Sequence, residues 1–145
     1  PEQIWPWIVQ IGYHRAGFYS YDSLDHDGIP SAEKILPEYQ SLKTGDLIPL
    51  SASANARVTV LDPPNFMALE FEVEGPWSGA TWAWGLYPED EAHTRLVTRL
   101  RAGARGVRSR LFLDLGEIIM MRKCMLGIKR RAETGTFYDS ADVAS

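Results

Sequence analysis

The chain lacks features that would place it in several common classes of protein. Its 145 residues include one cysteine, Cys124, so no disulfide can form within the chain. A single cysteine favours a reducing compartment, and we expect a cytoplasmic protein. Positive charge is scarce: 15 Lys and Arg stand against 19 Asp and Glu, for a net charge of −4. Because non-specific nucleic-acid binding relies on a basic field, no nucleic-acid partner is expected.

Long apolar runs and recognisable catalytic motifs are also missing. The most apolar segment, 111–128, is interrupted by charged residues, whereas a membrane span needs about 18 predominantly apolar residues in a row. There is no phosphate loop, dinucleotide fingerprint or nucleophile motif, so no cofactor is predicted. The acidic cluster of Asp22, Asp25, His26 and Asp27 lacks the alternate spacing and distal Glu of a calcium loop. No metal site is predicted.

The N-terminal part of the chain has the spacing of short helices. Residues 4–11 carry apolar side chains at helical intervals and predict a helix that ends at Gly12. A second helical turn is predicted near Tyr19–Leu24. A third is predicted with Ser31 as its N-cap and Pro37 as its end.

From residue 46 onward the apolar residues alternate, which predicts strands. Five are bounded by turn residues: Asp46–Leu50, Ala56–Leu61, Phe66–Val73, Ala80–Tyr87 and His93–Arg101. Their short connections force antiparallel neighbours, so the predicted sheet is a meander. One face is apolar and the other is charged, and we assign both Trp82 and Trp84 to the apolar, inward face.

A long helix is predicted after Gly103–Gly106, because apolar residues form a broad band from Leu111 to Ile128. The fold class is therefore α+β, in which a curved antiparallel β-sheet grips a long C-terminal α-helix and short helices come first. Residues 1–133 are assigned to one helix-grip domain. Residues 134–145 are assigned to a tail.

A curved sheet that closes around a helix leaves an internal space suited to a small hydrophobic molecule. The residues predicted to line it are Met67, Leu69, Phe71, Trp82, Trp84, Leu96, Thr98, Phe112, Leu115, Ile119 and Met120. The alternative is that these side chains pack on one another as an ordinary core. Methionines in the helix, including Met121 and Met125, favour a cavity because flexible thioethers adapt to irregular spaces.

Five segments of the chain carry a resemblance to a known family: Trp5–Gly12, Arg15–Asp22, Ile35–Gln40, Gly45-Asp46 and Gly127–Arg131. Over residues 4–133 the chain resembles the SRPBCC superfamily, in the polyketide cyclase/dehydrase-like branch of the START and birch-pollen-allergen helix-grip fold. The resemblance implies a strand, two short helices, six further strands and a long helix over a ligand cavity. This chain begins within the first helix, so the family's first strand is missing, and five strands follow rather than six.

The missing strand has a consequence for partners. It would leave unpaired backbone N–H and C=O groups along one edge of the sheet, where another chain could pair. We therefore consider a homo-oligomer through this vacant edge, and an interaction protein of that kind is a third possible function. The chain opens with Pro1 rather than Met, and we expect a segment to precede it.

Tyr19, Tyr21 and Asp22 lie in the segment that most resembles the family. In a functional interpretation, the two phenols line the cavity mouth and Asp22 orients a polar group of the ligand. In a structural interpretation, the aromatic rings pin the loop in place and Asp22 caps a helix or pairs with Arg15.

Two functions follow from the cavity. One is a module that binds a small hydrophobic ligand without chemistry. The other is a cyclase or dehydratase acting on a polyketide-like or other reactive carbonyl substrate, with a buried Asp, His or Tyr that moves a proton. An ionisable side chain that faces the cavity with a shifted pKa would favour the enzyme, and a wholly apolar wall would exclude it.

Overall fold

The fold is known from a computed structural model. It describes three stretches of the chain: residues 1–75, 77–102 and 107–134. Within the last stretch, side chains are described from Leu115 onward. The predicted tail lies outside the described residues except for Thr134, which is the last residue of a helix rather than the start of the tail.

Short helices, a sheet and a long helix follow one another along the chain. In order they are α1 (Trp5–Val9), α2 (Asp22–Asp25), β1 (Leu47–Ser51), β2 (Ala54–Asp62), β3 (Phe66–Glu72), β4 (Thr81–Pro88), β5 (Thr94–Arg101) and α3 (Val107–Thr134). The strands are antiparallel neighbours in the order β1-β2-β3-β4-β5. Each strand boundary lies within two residues of its prediction. The α+β class is confirmed, and the arrangement is consistent with a helix-grip fold.

The N-terminal helices differ from the prediction in two places. The first helix ends at Val9 instead of Gly12, because the Gly12 N–H bonds to the Gly17 carbonyl at 3.1 Å and draws the chain into a bridge. Ser31 caps no helix. Its hydroxyl accepts a hydrogen bond from the Tyr19 N–H at 3.0 Å, and Pro37 begins a 3-10 turn rather than ending a helix.

The apolar face of the sheet carries the two tryptophans, as the alternation predicts. Trp82 pairs across strands with Leu69, and Trp84 with Met67. Trp84 is 1% exposed, so its inward assignment is confirmed. These side chains form one core with α1 and the residues after it, where Trp7 is also fully buried.

The outer edge of β5 has no strand paired with it in the described part of the chain. Arg95, Arg99 and Arg101 alternate along this strand and are exposed, as their parity predicts. If two copies of β5 paired in antiparallel fashion, these arginines would lie on the same face of the joined sheet and repel one another. The homo-oligomer through a vacant edge of the sheet stays a prediction.

The C-terminal half of α3 packs tightly against the segment 19–21. A Cβ atom added at Gly127 would lie 2.5 Å from the Tyr19 carbonyl oxygen, so only glycine permits this approach. The buried Arg131 completes the contact: its Nε donates to the Ala32 carbonyl at 2.8 Å, and its guanidinium lies 4.7 Å from the centre of the Tyr19 ring. Among the helices described, none is both long enough and apolar enough to cross a bilayer.

The first prediction compares two glycines of α3. Replacing Gly127 with Ala should lower the free energy of unfolding by about 1–3 kcal/mol, because the new methyl group overlaps the Tyr19 backbone. Gly116→Ala is the matched control. A Cβ there meets nothing within 4 Å, so the better helix propensity of Ala should raise stability by up to about 1 kcal/mol. Urea unfolding measures both, and equal effects of the two substitutions would contradict this packing.

Candidate functional site

A cavity of about 1300 Å³, widely open to solvent, is lined by the sheet, by two loops and by residues 116–124 of α3. Aromatic side chains from the sheet and from two loops form much of its wall. Phe71 lies at the centre of this group, with ring centroids 6.4 Å from both Trp77 and Trp82. The ring of Phe18 stacks on Trp82 with a centroid distance of 6.5 Å. The cavity therefore presents broad apolar surfaces to a guest.

The helix contributes its less tightly packed half to the same cavity. Gly116, Met120 and Met121 line it, and Cys124 closes its inner end. From Cys124 onward the helix face that meets the rest of the fold is buried, whereas Met120 and Met121 are only partly covered. A Cβ added at Gly116 would meet no atom within 4 Å. The helix is thus packed from Cys124 onward and borders open space at Gly116.

Tyr19 and Tyr21 contact α3 and do not line the large cavity. The Tyr19 hydroxyl is buried, donates to the Trp7 carbonyl at 2.8 Å and accepts from the Gln10 amide at 3.0 Å. Burial raises the pKa of this phenol well above its usual range. The ring of Tyr21 carries the ammonium group of Lys123 at 3.8 Å from its centre. Both phenols therefore match the structural interpretation of this segment.

The Asp22 carboxylate is held by two hydrogen bonds from Ser31. One carboxylate oxygen accepts from the Ser31 N–H at 3.0 Å, and the other accepts from the Ser31 hydroxyl. Asp22 and Tyr19 border a second, smaller pocket of about 300 Å³ and do not line the large cavity. The pairing of Asp22 with Arg15 is not observed, because the Arg15 guanidinium donates to the Val9 carbonyl at 3.0 Å.

Asp25, the last residue of α2, places an acidic side chain in the cavity wall. It lines the cavity beside Cys124, and both of its carboxylate oxygens are shielded from solvent without a hydrogen-bond partner in the described structure. Burial, and then the nearby charge of Asp22, raise the pKa of Asp25 from 3.8 to about 6. A buried carboxylate without a partner is costly, which makes this group available to a ligand.

Cys124 is a poor candidate for chemistry. It is 3% exposed, and burial raises the pKa of its thiol to about 12, with Asp25 adding to the effect. Because the thiolate is the nucleophile, this cysteine is inert at neutral pH. In the part of the chain that the structure describes, no group of three or more His, Cys, Asp or Glu residues could hold a metal ion.

The predicted site residues of the sheet, together with Met120, fall into three groups. Phe71, Trp82 and Met120 line the cavity, as predicted. Met67, Leu69, Trp84 and Leu96 instead lie in or against the closed core behind it. Thr98 forms hydrogen bonds to the neighbouring strand β4. Its hydroxyl accepts from the Trp82 indole N–H at 2.8 Å and donates to the Ala83 carbonyl at 3.1 Å.

Two residues of α3 that were predicted to line the cavity do not line it. Leu115 and Ile119 are each 54% exposed and do not belong to the cavity wall. The face of α3 that lines the cavity carries Glu117, Met120 and Cys124, and a residue one position away is turned by about 100°. Phe112 was also predicted to line the cavity, but its side chain lies outside the described residues.

Sequence reasoning missed Asp25, Phe18 and Trp77 as cavity residues. Trp77 falls in a connection rich in glycine and proline, where alternation gives no inward or outward assignment. Asp25 was considered only as part of an acidic cluster. Its position three residues after Asp22 could have shown that a single helical turn would place the two carboxylates near one another.

The sequence of the chain matches no family model, and no curated protein matches it. Among solved structures, the chain is similar to CalU16 from Micromonospora echinospora, with 19% sequence identity and a TM-score of 0.37. The match covers 64% of this chain and 62% of the CalU16 chain. The chain thus spans less than two thirds of the length of that protein.

The second prediction concerns the charge of Asp25. Between its ordinary pKa in the unfolded chain and about 6 in the fold, the folded protein binds more protons, so this group makes stability fall as pH rises. Asp25→Asn removes the buried charge and should raise Tm at pH 7.5 but have little effect at pH 4. Thermal unfolding of both proteins at the two pH values measures this. A difference between variant and parent that does not change with pH would contradict the burial of the carboxylate.

Proposed function

We propose that the chain binds a small hydrophobic molecule in the cavity between the sheet and α3. The observation that carries this proposal is the cavity itself, about 1300 Å³ and walled by the rings of Phe18, Phe71, Trp77 and Trp82. Ligand pockets for small molecules are typically about 300–1,000 Å³, predominantly apolar and equipped with a few polar groups. This cavity has the room and the apolar wall, and Asp25 is such a polar group.

The two methionines suit this role. Met120 and Met121 stand on the open half of α3, where their side chains are partly covered. Unbranched thioethers repack at low cost around guests of different shape. We infer a site that accepts a range of apolar bodies and orients each by one polar contact at Asp25.

An enzyme of the cyclase or dehydratase type is the alternative, and Asp25 is the observation that favours it. A general base works best when its pKa lies near the working pH, and the pKa of Asp25 is raised to about 6. In such an enzyme its carboxylate would take a proton from the carbon next to a substrate carbonyl and return it to the carbonyl oxygen. The resemblance to the polyketide cyclase/dehydrase-like branch supports both functions, because fold does not decide activity.

Two further predictions about the protein's setting remain proposals. The single cysteine supports a cytoplasmic location. The net charge of −4 supports the absence of a nucleic-acid partner.

The third prediction tests the binding function with the neutral fluorescent probe N-phenyl-1-naphthylamine. The parent protein should bind it saturably, with enhanced probe emission and quenching of tryptophan fluorescence. Gly116→Phe should weaken binding, because the new ring occupies the part of the cavity beneath the helix while the helix keeps its propensity.

The matched control is Ile118→Phe, which adds the same ring on the side of α3 that faces solvent, where Ile118 is 62% exposed. It should bind the probe like the parent. Binding that survives in Gly116→Phe, or that is lost equally in both variants, would contradict the cavity as the binding site.

The fourth prediction separates the enzyme from the binding module. In D₂O, an enzyme using Asp25 should speed deuterium incorporation at the carbons next to the carbonyl of 2-decanone, followed by proton NMR. Asp25→Asn should abolish this acceleration. Equal rates with the parent, the variant and buffer alone would leave the binding module and exclude this proton transfer.

A further inference from the structure

The cavity wall carries charge of one sign in the part of the chain that the structure describes. Five of its residues are acidic: Asp25, Glu70, Glu72, Glu74 and Glu117. None of the described wall residues is Lys, Arg or His. A cleft lined by one sign of charge concentrates its field on whatever enters, so the wall itself selects the charge of the guest.

Some of this charge is neutralised at the rim. Glu72 pairs with Arg57, whose Nη2 donates to the Glu72 Oε2 at 3.1 Å. That pair is exposed, and exposed ion pairs contribute little. The charge that matters lies deeper, where solvent does not screen it.

Asp25 supplies the deeper charge. Its two oxygens are shielded and accept no hydrogen bond in the described structure. Burial, and then the charge of Asp22, raise the pKa of Asp25 and outweigh His26 and Lys123, whose charges lower it. The ammonium group of Lys123 lies over the ring of Tyr21. His26 bonds through Nδ1 to the Ile29 carbonyl at 2.8 Å. A guest with a positive group would therefore satisfy a carboxylate that the described part of the fold leaves without a hydrogen-bond partner.

The aromatic wall favours the same charge. Trp77, Phe71 and Trp82 present ring faces and edges along the cavity. The negative face of an aromatic ring attracts ammonium and guanidinium groups within about 6 Å of its centre. Such rings thus accommodate both the apolar body of a guest and a cation attached to it.

We propose that the ligand is a cationic amphiphile, an apolar molecule that carries a protonated amine held by the Asp25 carboxylate. This rests on the proposed binding function and names its ligand class. A fatty acid or an apolar phosphate would bring a second negative charge to the buried carboxylate, and like charges in a poorly solvated site repel strongly. A neutral apolar molecule would bind without this gain.

The test displaces bound N-phenyl-1-naphthylamine with three ten-carbon chains at pH 7.5, each below its critical micelle concentration. Decylamine, decanol and decanoate differ mainly in the charge of their head groups. Decylamine should displace the probe at a concentration at least about tenfold lower than decanoate, with decanol between them. This preference should persist in high salt, because the Asp25 oxygens are shielded from solvent and salt screens a buried charge much less than an exposed one.

Asp25→Asn should bring the affinity for decylamine down to about that of decanol and leave decanol itself unchanged. Glu38→Gln, which removes one exposed negative charge outside the cavity wall, is the control and should keep the parent order. Tm of each variant verifies that it is folded.

Displacement by decanol with no advantage for decylamine, or an advantage that Asp25→Asn does not remove, would overturn the cationic ligand and keep the apolar site. A preference for decanoate would overturn it in the same way. Failure of the probe and of all three chains to bind would overturn the proposed function together with this inference.

Discussion

The close approach of α3 to the Tyr19 carbonyl is the constraint on which the site is built. Gly127 allows helix and loop backbones to meet, and the Ser20 hydroxyl ties the loop to the Met120 carbonyl at 3.1 Å. The loop residue itself is held at a φ of 55°, a conformation that persists in a non-glycine residue only when its surroundings enforce it. With the helix held at its C-terminal half, Gly116, Met120 and Met121 line the cavity.

The position of the buried carboxylate follows from the same contact. The helix α2 begins directly after the segment that grips α3, and its first acidic residue, Asp22, is bound to Ser31. One turn later the chain delivers Asp25 to the cavity beside Cys124. The polar group of the site is therefore placed by the structural contacts around it, and a mobile loop is not needed to explain it. Both ligand orientation and proton transfer require such a fixed group.

Much of the fold could be predicted from the sequence because its signals are local. Alternation and turn residues located all five strands, and the parity of Trp82 and Trp84 gave their burial correctly. The ends of the N-terminal helical turns were harder to predict from the sequence. They are determined by contacts distant in sequence, such as the bond between Ser31 and the Tyr19 N–H, and propensity alone does not report those.

The site was harder to predict than the fold, for two physical reasons. The apolar band of α3 is wider than the face that packs, so Leu115 and Ile119 could not be told from Met120 and Cys124 by periodicity. In the acidic loop, composition showed several carboxylates but not which one would lose its solvent. Ser31, nine residues beyond Asp22, donates hydrogen bonds to the Asp22 carboxylate. The Asp25 carboxylate receives none from Ser31 and lines the cavity.

The proposed site depends on room for a guest beside Gly116, Met120 and Met121 of α3. The four methionines allow it to be tested directly by NMR of methyl-labelled protein during titration with a neutral apolar probe. Met120 and Met121 line the cavity, whereas Met67 is fully buried behind it. The methyl signals of Met120 and Met121 should shift saturably, with that of Met67 unmoved. Shifts as large at Met67, or none at any methionine, would contradict the proposed site.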